Sequence, residues 1–250
     1  MRNLCVTCNS IIRQRISAMK FYDDTRKGPA EGSAFNYALT ALFLGAVWGF
    51  FEVFFKDVMS MAGRPFASAI MTGTGMLLMA VGYGMFRRAG AFFLITMCAV
   101  ATRMIVIPVL GCSPMCRANA ALALTLLGAA TAVTFAVKER VSGNWKAGGV
   151  AACAGVLCSG AVYYYAGMAC APCQYLKNFV AQGGLLTFMS VEVIWWGLFA
   201  AVMYYPGYLA GERLRGGMEM LRESRPVPYY AALVSASVIM ICVTGFVVMP

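Results

Sequence analysis

Histidine is absent from all 250 residues. That absence removes bis-histidine haem ligation, the usual imidazole sites for zinc and copper, and every device in which imidazole activates a serine or cysteine. Charge is the second scarcity. Asp, Glu, Lys and Arg make up 12% of the chain, about half the share in ordinary soluble domains. A phosphate-binding loop is missing as well. The glycines of GMLLMAVGYG (Gly75 to Gly84) lie inside an apolar run, where small residues serve helix packing. If ATP drives this protein, another subunit binds it. No folded basic domain accompanies the net charge of +10, so a nucleic-acid partner is not expected.

What remains is apolar: 61% of the chain. Apolar runs near the 20 residues needed to cross about 30 Å of hydrocarbon recur along it. Seven spans are expected, at 37–55, 67–86, 91–110, 118–137, 148–169, 180–204 and 229–249. The fifth, rich in Gly, Ala and Cys, is the least apolar, so the count is six or seven. The runs are continuous rather than alternating, which predicts helices and not barrel strands. The expected fold is an all-α polytopic transmembrane bundle over 36–250, preceded by a polar tail at 1–35.

Basic residues orient the bundle. Fifteen of the twenty fall in the tail and in alternate connections: Arg87–Arg88, Lys138 to Lys146, and Arg213 to Arg225. The other connections hold only Lys56, Arg64, Arg117 and Lys177, and Arg103 lies within a span. The positive-inside rule makes the richer side, and with it the N-terminus, cytoplasmic. In the tail, Ile11, Ile12, Ile16, Met19 and Phe21 alternate with Arg13, Arg15 and Lys20, a pattern for a short amphipathic helix on the inner leaflet. GPAEGS (Gly28–Ser33) is expected as a linker and 211–226 as the longest cytoplasmic connection, whose mixed charges suit a short surface helix.

Glu52, Arg103 and Glu192 are the acid and base side chains well inside spans. Placing such a group at the bilayer centre costs about 2.5–3.5 kcal/mol on insertion scales, so they are expected to face the interior and pair. Glu52 and Arg103 are expected in the outer half and Glu192 near mid-depth, sharing one outward-opening pocket. Two carboxylates against one guanidinium leave one negative charge, to be met by a proton or a cationic ligand. Trp48, Trp195, Trp196 and the Tyr163–Tyr165 run are placed to add stacking or cation–π contacts. The alternative is a structural Arg–Glu lock without a ligand. WGFFE (Trp48–Glu52) and VEVIWWG (Val191–Gly197) both set Trp and Glu four residues apart, in reverse order, a weak internal echo.

Two cysteine pairs follow outward-going spans, Cys112/Cys116 and Cys170/Cys173. On one outer face, these four thiols suit disulfide staples, a redox pair with the CxxC spacing of oxidoreductases, or a four-thiolate metal site. Staples are the first expectation. Cys5/Cys8 in the tail lacks the further ligands of a zinc knuckle, and Cys98, Cys153, Cys158 and Cys242 are apolar packing residues of the spans.

Residues 36–210 resemble the membrane-embedded substrate-binding S components of energy-coupling factor transporters. The likeness rests on the small-residue face of the first span (Ala41, Gly45, Gly49), the WGFFE segment, the Gly-rich second span and the overall size. It implies capture of a small organic micronutrient from outside a prokaryotic inner membrane, with partner membrane subunits, separate ATPases and no cofactor. Six spans are usual in that family, whereas seven plus a tail are drawn here. Its nickel and cobalt members rely on an N-terminal histidine, so the resemblance implies a vitamin-like ligand. The paired outer cysteines also resemble those of quinone-linked thiol oxidases, with Arg103 near a quinone head group, although that family has a four-helix core and a different spacing. A third reading is an accessory membrane subunit of a respiratory or transport complex.

Overall fold

The computed structural model describes residues 31–54, 66–110, 114–142, 144–170 and 173–246. The expected tail helix, Lys56, Arg64 and Cys112 lie outside the described residues. The chain forms two compact units, 1–37 and 38–250. Of the first, only 31–37 are described, as the opening turns of a helix that continues into the second. Glu31–Ser33, expected as linker, are therefore helical.

All regular structure among the described residues is helical. The elements are α1 (Glu31–Phe54), α2 (Phe66–Phe86), α3 (Gly90–Leu110), α4 (Pro114–Val141), α5 (Gly148–Cys170, led by a 3₁₀ turn at Trp145–Ala147), α6 (Gln174–Ala181), α7 (Leu185–Ser224) and α8 (Pro226–Phe246). Six of them, α1, α2, α4, α5, α7 and α8, are long and apolar enough to cross a membrane. The protein is a multi-pass helical membrane protein.

Contacts at the two ends fix the course of α3, whose 21 residues Gly90–Leu110 carry one charge, Arg103. At one end, the Tyr83 ring of α2 lies 5.0 Å from Phe135 of α4. Trp145, before α5, stacks on Tyr208 of α7 at 5.7 Å, and the Arg87 guanidinium sits 4.9 Å over that same ring. The ends of α2 and α4 therefore meet, and the helix between them must traverse the bundle. Arg103 of α3 duly reaches Glu52 near the far end of α1. Among the described residues seven helices run along the bundle, which has an Arg87 end and a Cys170 end.

Backbone approach holds the pairs together, as expected where lipid removes the hydrophobic drive for helix association. On α1, a Cβ at Gly45 would lie 2.6 Å from the Ile95 carbonyl, and one at Gly49 2.8 Å from the Thr102 Cβ. At Gly45 and Gly49 the small-residue face of α1 thus packs on α3 of the same chain. Ala41 on that face is buried too. Parallel helices α2 and α7 form the most extensive pair, with Gly84 against the Tyr208 carbonyl and Gly207 and Gly211 against the carbonyls of Leu77 and Val81.

Two segments differ from expectation. Gly183 and Gly184 both have positive φ, which stops α6 and starts α7 at Leu185 rather than 180. The short surface helix expected within 211–226 is not separate but continues α7 to Ser224. Arg215 pairs with Glu219 one turn on, and Pro226 opens α8, where its missing N–H costs nothing. At the turn between α2 and α3, Arg87 adopts a left-handed φ of 52°. Its N–H caps α2 by donating to the Tyr83 carbonyl at 2.7 Å, and its side chain pairs with Glu212.

Candidate functional site

The polar residues expected to share one pocket form two hydrogen-bonded groups. In the first, Arg103 Nη1 donates to Glu52 Oε2 at 2.7 Å, joining α3 to α1. The guanidinium neutralises the carboxylate, and both side chains are largely buried. Trp48, one turn along α1, is fully buried with its ring against Gly75 of α2, where no side chain would fit. Trp48 Nε1 and Arg103 Nε are buried donors without an acceptor among the described residues. This group therefore presents unsatisfied N–H bonds, each costly to bury.

In the second group, Ser68 Oγ donates to Glu192 Oε2 at 2.8 Å, and Trp196 Nε1 donates to Ser68 Oγ at 2.9 Å. The direction of this chain is fixed, because an indole N–H can only donate. Ser68 must accept from Trp196 and spend its own hydrogen on the carboxylate. Glu192 is 2% exposed and makes no ion pair with Arg103. It sits in a π turn, Met189–Val193, where the Ile194 N–H reaches back to the Met189 carbonyl. Such widened turns concentrate at functional positions. Here the turn brings Glu192 and Trp196 onto one partner.

Depth follows from register. Ser68 lies in the first turn of α2, so Glu192 is near the Cys170 end and not at mid-depth. The later start of α7 explains the difference. The Trp48–Gly75 contact sets the antiparallel register of α1 and α2, and counting from it puts Glu52 level with about residue 71. The two groups then differ by about 4–5 Å along the bundle axis.

Aromatic rings surround the second group. Phe188 meets Trp196 edge to face at 5.6 Å, and Tyr163, Tyr164 and Phe179 pack with Phe188 beneath α6. Tyr165 and Trp195 point outward instead, Trp195 against Phe66 at 5.3 Å. The Trp–Glu echo of the sequence has no structural counterpart: Trp48 and Glu52 diverge to α2 and α3, whereas Trp196 and Glu192 converge on Ser68.

Cys170 and Cys173 are free thiols, Cys170 exposed at the end of α5 and Cys173 at the N-cap of α6. Asn119 Nδ2 of α4 donates to Cys173 Sγ at 2.7 Å. Cys116 falls in α4, and its side chain lies outside the described ones. Among the described residues no three Cys, Asp or Glu side chains converge as metal ligands.

Ser68 and Asn119 were not singled out in the sequence. A serine or asparagine in an apolar run carries no distinguishing signal until the helix register supplies its partner. Comparison with known protein families, curated proteins and solved structures returns no match to this chain.

Proposed function

We propose that this protein is a solute-binding subunit of a membrane uptake system in a prokaryotic inner membrane. It captures a small organic solute from the outer side and passes it on with partner membrane subunits and separate ATPases. The observation that carries this reading is Glu192, a carboxylate buried in an apolar bundle and held by the neutral Ser68–Trp196 chain. An intramembrane carboxylate is costly, and its usual use is a ligand or ion site. Glu52, Arg103 and Trp48 supply the complementary half, with the two unsatisfied donors at nearly the same depth. A buried carboxylate beside donors without partners suits binding better than bond making. Without a phosphate-binding loop in the chain, the driving force falls to other subunits.

Purification in mild detergent, followed by mass spectrometry of co-purifying proteins and small molecules, tests this reading. ATPases and a bound organic solute are the expected outcome. Purification with redox subunits and no solute would replace it with the accessory-subunit reading.

A second reading has its own observation: two free thiols, one exposed and one held by Asn119, at the same end of the bundle. In that case a dithiol of Cys170 and Cys173 is oxidised to a disulfide, and its two electrons and two protons reduce a quinone to a quinol. Membranes carrying the wild-type protein then reduce added quinone at the expense of a dithiol, and Cys170→Ser stops it. Inactive wild-type membranes end this reading.

A further inference from the structure

We infer that the solute bound at Glu192 is an organic cation, presenting a substituted ammonium group to the carboxylate. The inference rests on the solute-binding reading and goes on to name the ligand chemistry. Glu192 is nearly fully buried, and the described helices packed on its π turn, α2 and α5, contain no Asp, Glu, Lys or Arg. On α7 itself the next charged residue is Glu212, twenty residues on and about 30 Å away along the helix. Glu52 is not an equivalent anchor, because Arg103 already neutralises it at 2.7 Å.

The chain Trp196–Ser68–Glu192 reaches the carboxylate through Oε2 with neutral groups only and brings it no positive charge. A substituted ammonium matches that carboxylate in charge and donor character. Its carbon substituents match the rings of Trp196 and Phe188, where a cation gains from the aromatic quadrupole. A bare sodium ion fits this setting less well, since hard cations need several oxygen ligands and the neighbours here are mostly rings. The route in is short, because Ser68 is half-buried in the first turn of α2 and Phe66 beside it is exposed.

The test is heat unfolding of the purified full chain in detergent, with tetramethylammonium or propylammonium chloride compared against sodium chloride and sodium propionate at equal concentration. A ligand that binds the folded state raises the midpoint and saturates. Both ammonium salts are expected to raise it by several degrees beyond the sodium salts. Glu192→Gln keeps an oxygen to accept from Ser68 and loses only the charge, so the response should vanish. Glu192→Asp should keep a response, and Glu219→Gln on the exposed far part of α7 should behave as wild type. The inference is overturned if the wild type shows no ammonium-specific rise, if sodium propionate does as much, or if Glu192→Gln responds like wild type. A co-purified solute without positive charge would also end it while leaving the solute-binding reading in place. Co-purification without any solute or ATPase, beside an intact Glu192-dependent response, would do the reverse.

Discussion

Arg103 and Glu52 differ in kind from the other ion pairs among the described residues. Arg215–Glu219 is roughly half exposed on α7, and such i,i+4 pairs contribute about 0.3–0.5 kcal/mol. The Arg103–Glu52 side chains are 8% and 13% exposed, where removing one partner strands a buried charge at about 3–5 kcal/mol. Arg103→Ala is therefore expected to insert but to unfold at a clearly lower denaturant dose. Arg103→Leu with Glu52→Leu should recover most of the loss, since replacing both charges leaves nothing stranded. Unfolding titrations of the two single variants and the double variant measure the coupling. Additive losses would mean that the pair does not act as a lock. Glu52, Arg103 and Glu192 were legible in the sequence because charge is rare inside apolar runs. Their division into two groups was not, because it depends on the π turn and on Ser68, which composition does not reveal.

Helix α7 shows how far glycine spacing can be read at the scale of an element. Gly211 and Gly216 both lie in it, yet a Cβ at Gly211 would sit 2.2 Å from the Val81 carbonyl, while one at Gly216 meets nothing within 4 Å. Gly211→Ala must push α2 and α7 apart, at a cost of about 1–3 kcal/mol. Gly216→Ala removes only the glycine penalty of a helix interior and should stabilise by up to about 1 kcal/mol. Opposite shifts of the unfolding midpoint are expected, and equal shifts would contradict the close contact of the two backbones. The apolar runs themselves were readable to within a few residues for α2 and α5. The start of α7 was misplaced because Val180 and Ala181 continue the apolar run, and only the backbone reveals that Gly183–Gly184 interrupts it. The charged stretch 211–226 reads as a separate short surface helix, whereas it is the continuation of α7 past the apolar part of the bundle, with an i,i+4 pair on its surface.

At the scale of the whole molecule, charge and contacts point to the same alternation. The basic-rich connections expected on one side carry Arg87 and Lys138, and these two residues lie over neighbouring rings, Tyr208 at 4.9 Å and Tyr83 at 5.9 Å. Glu212, which begins the last basic-rich connection, pairs with Arg87. Asn119 and Cys173 meet at the opposite end, as do Ser68 and Glu192. A six-crossing chain that left α3 on one side would separate Arg87 from Lys138 by the membrane, which those contacts forbid. The positive-inside rule then assigns the Arg87 end to the cytoplasm. In a background where the other cysteines are replaced, the exposed Cys170 is expected to react with a membrane-impermeant maleimide in intact cells. A single cysteine introduced as Ser224→Cys should react only after the cells are opened. The reverse pattern would turn the bundle over, place the Glu192 site on the cytoplasmic face and make capture from outside untenable. Labelling of both positions in intact cells would break the alternation of crossings itself.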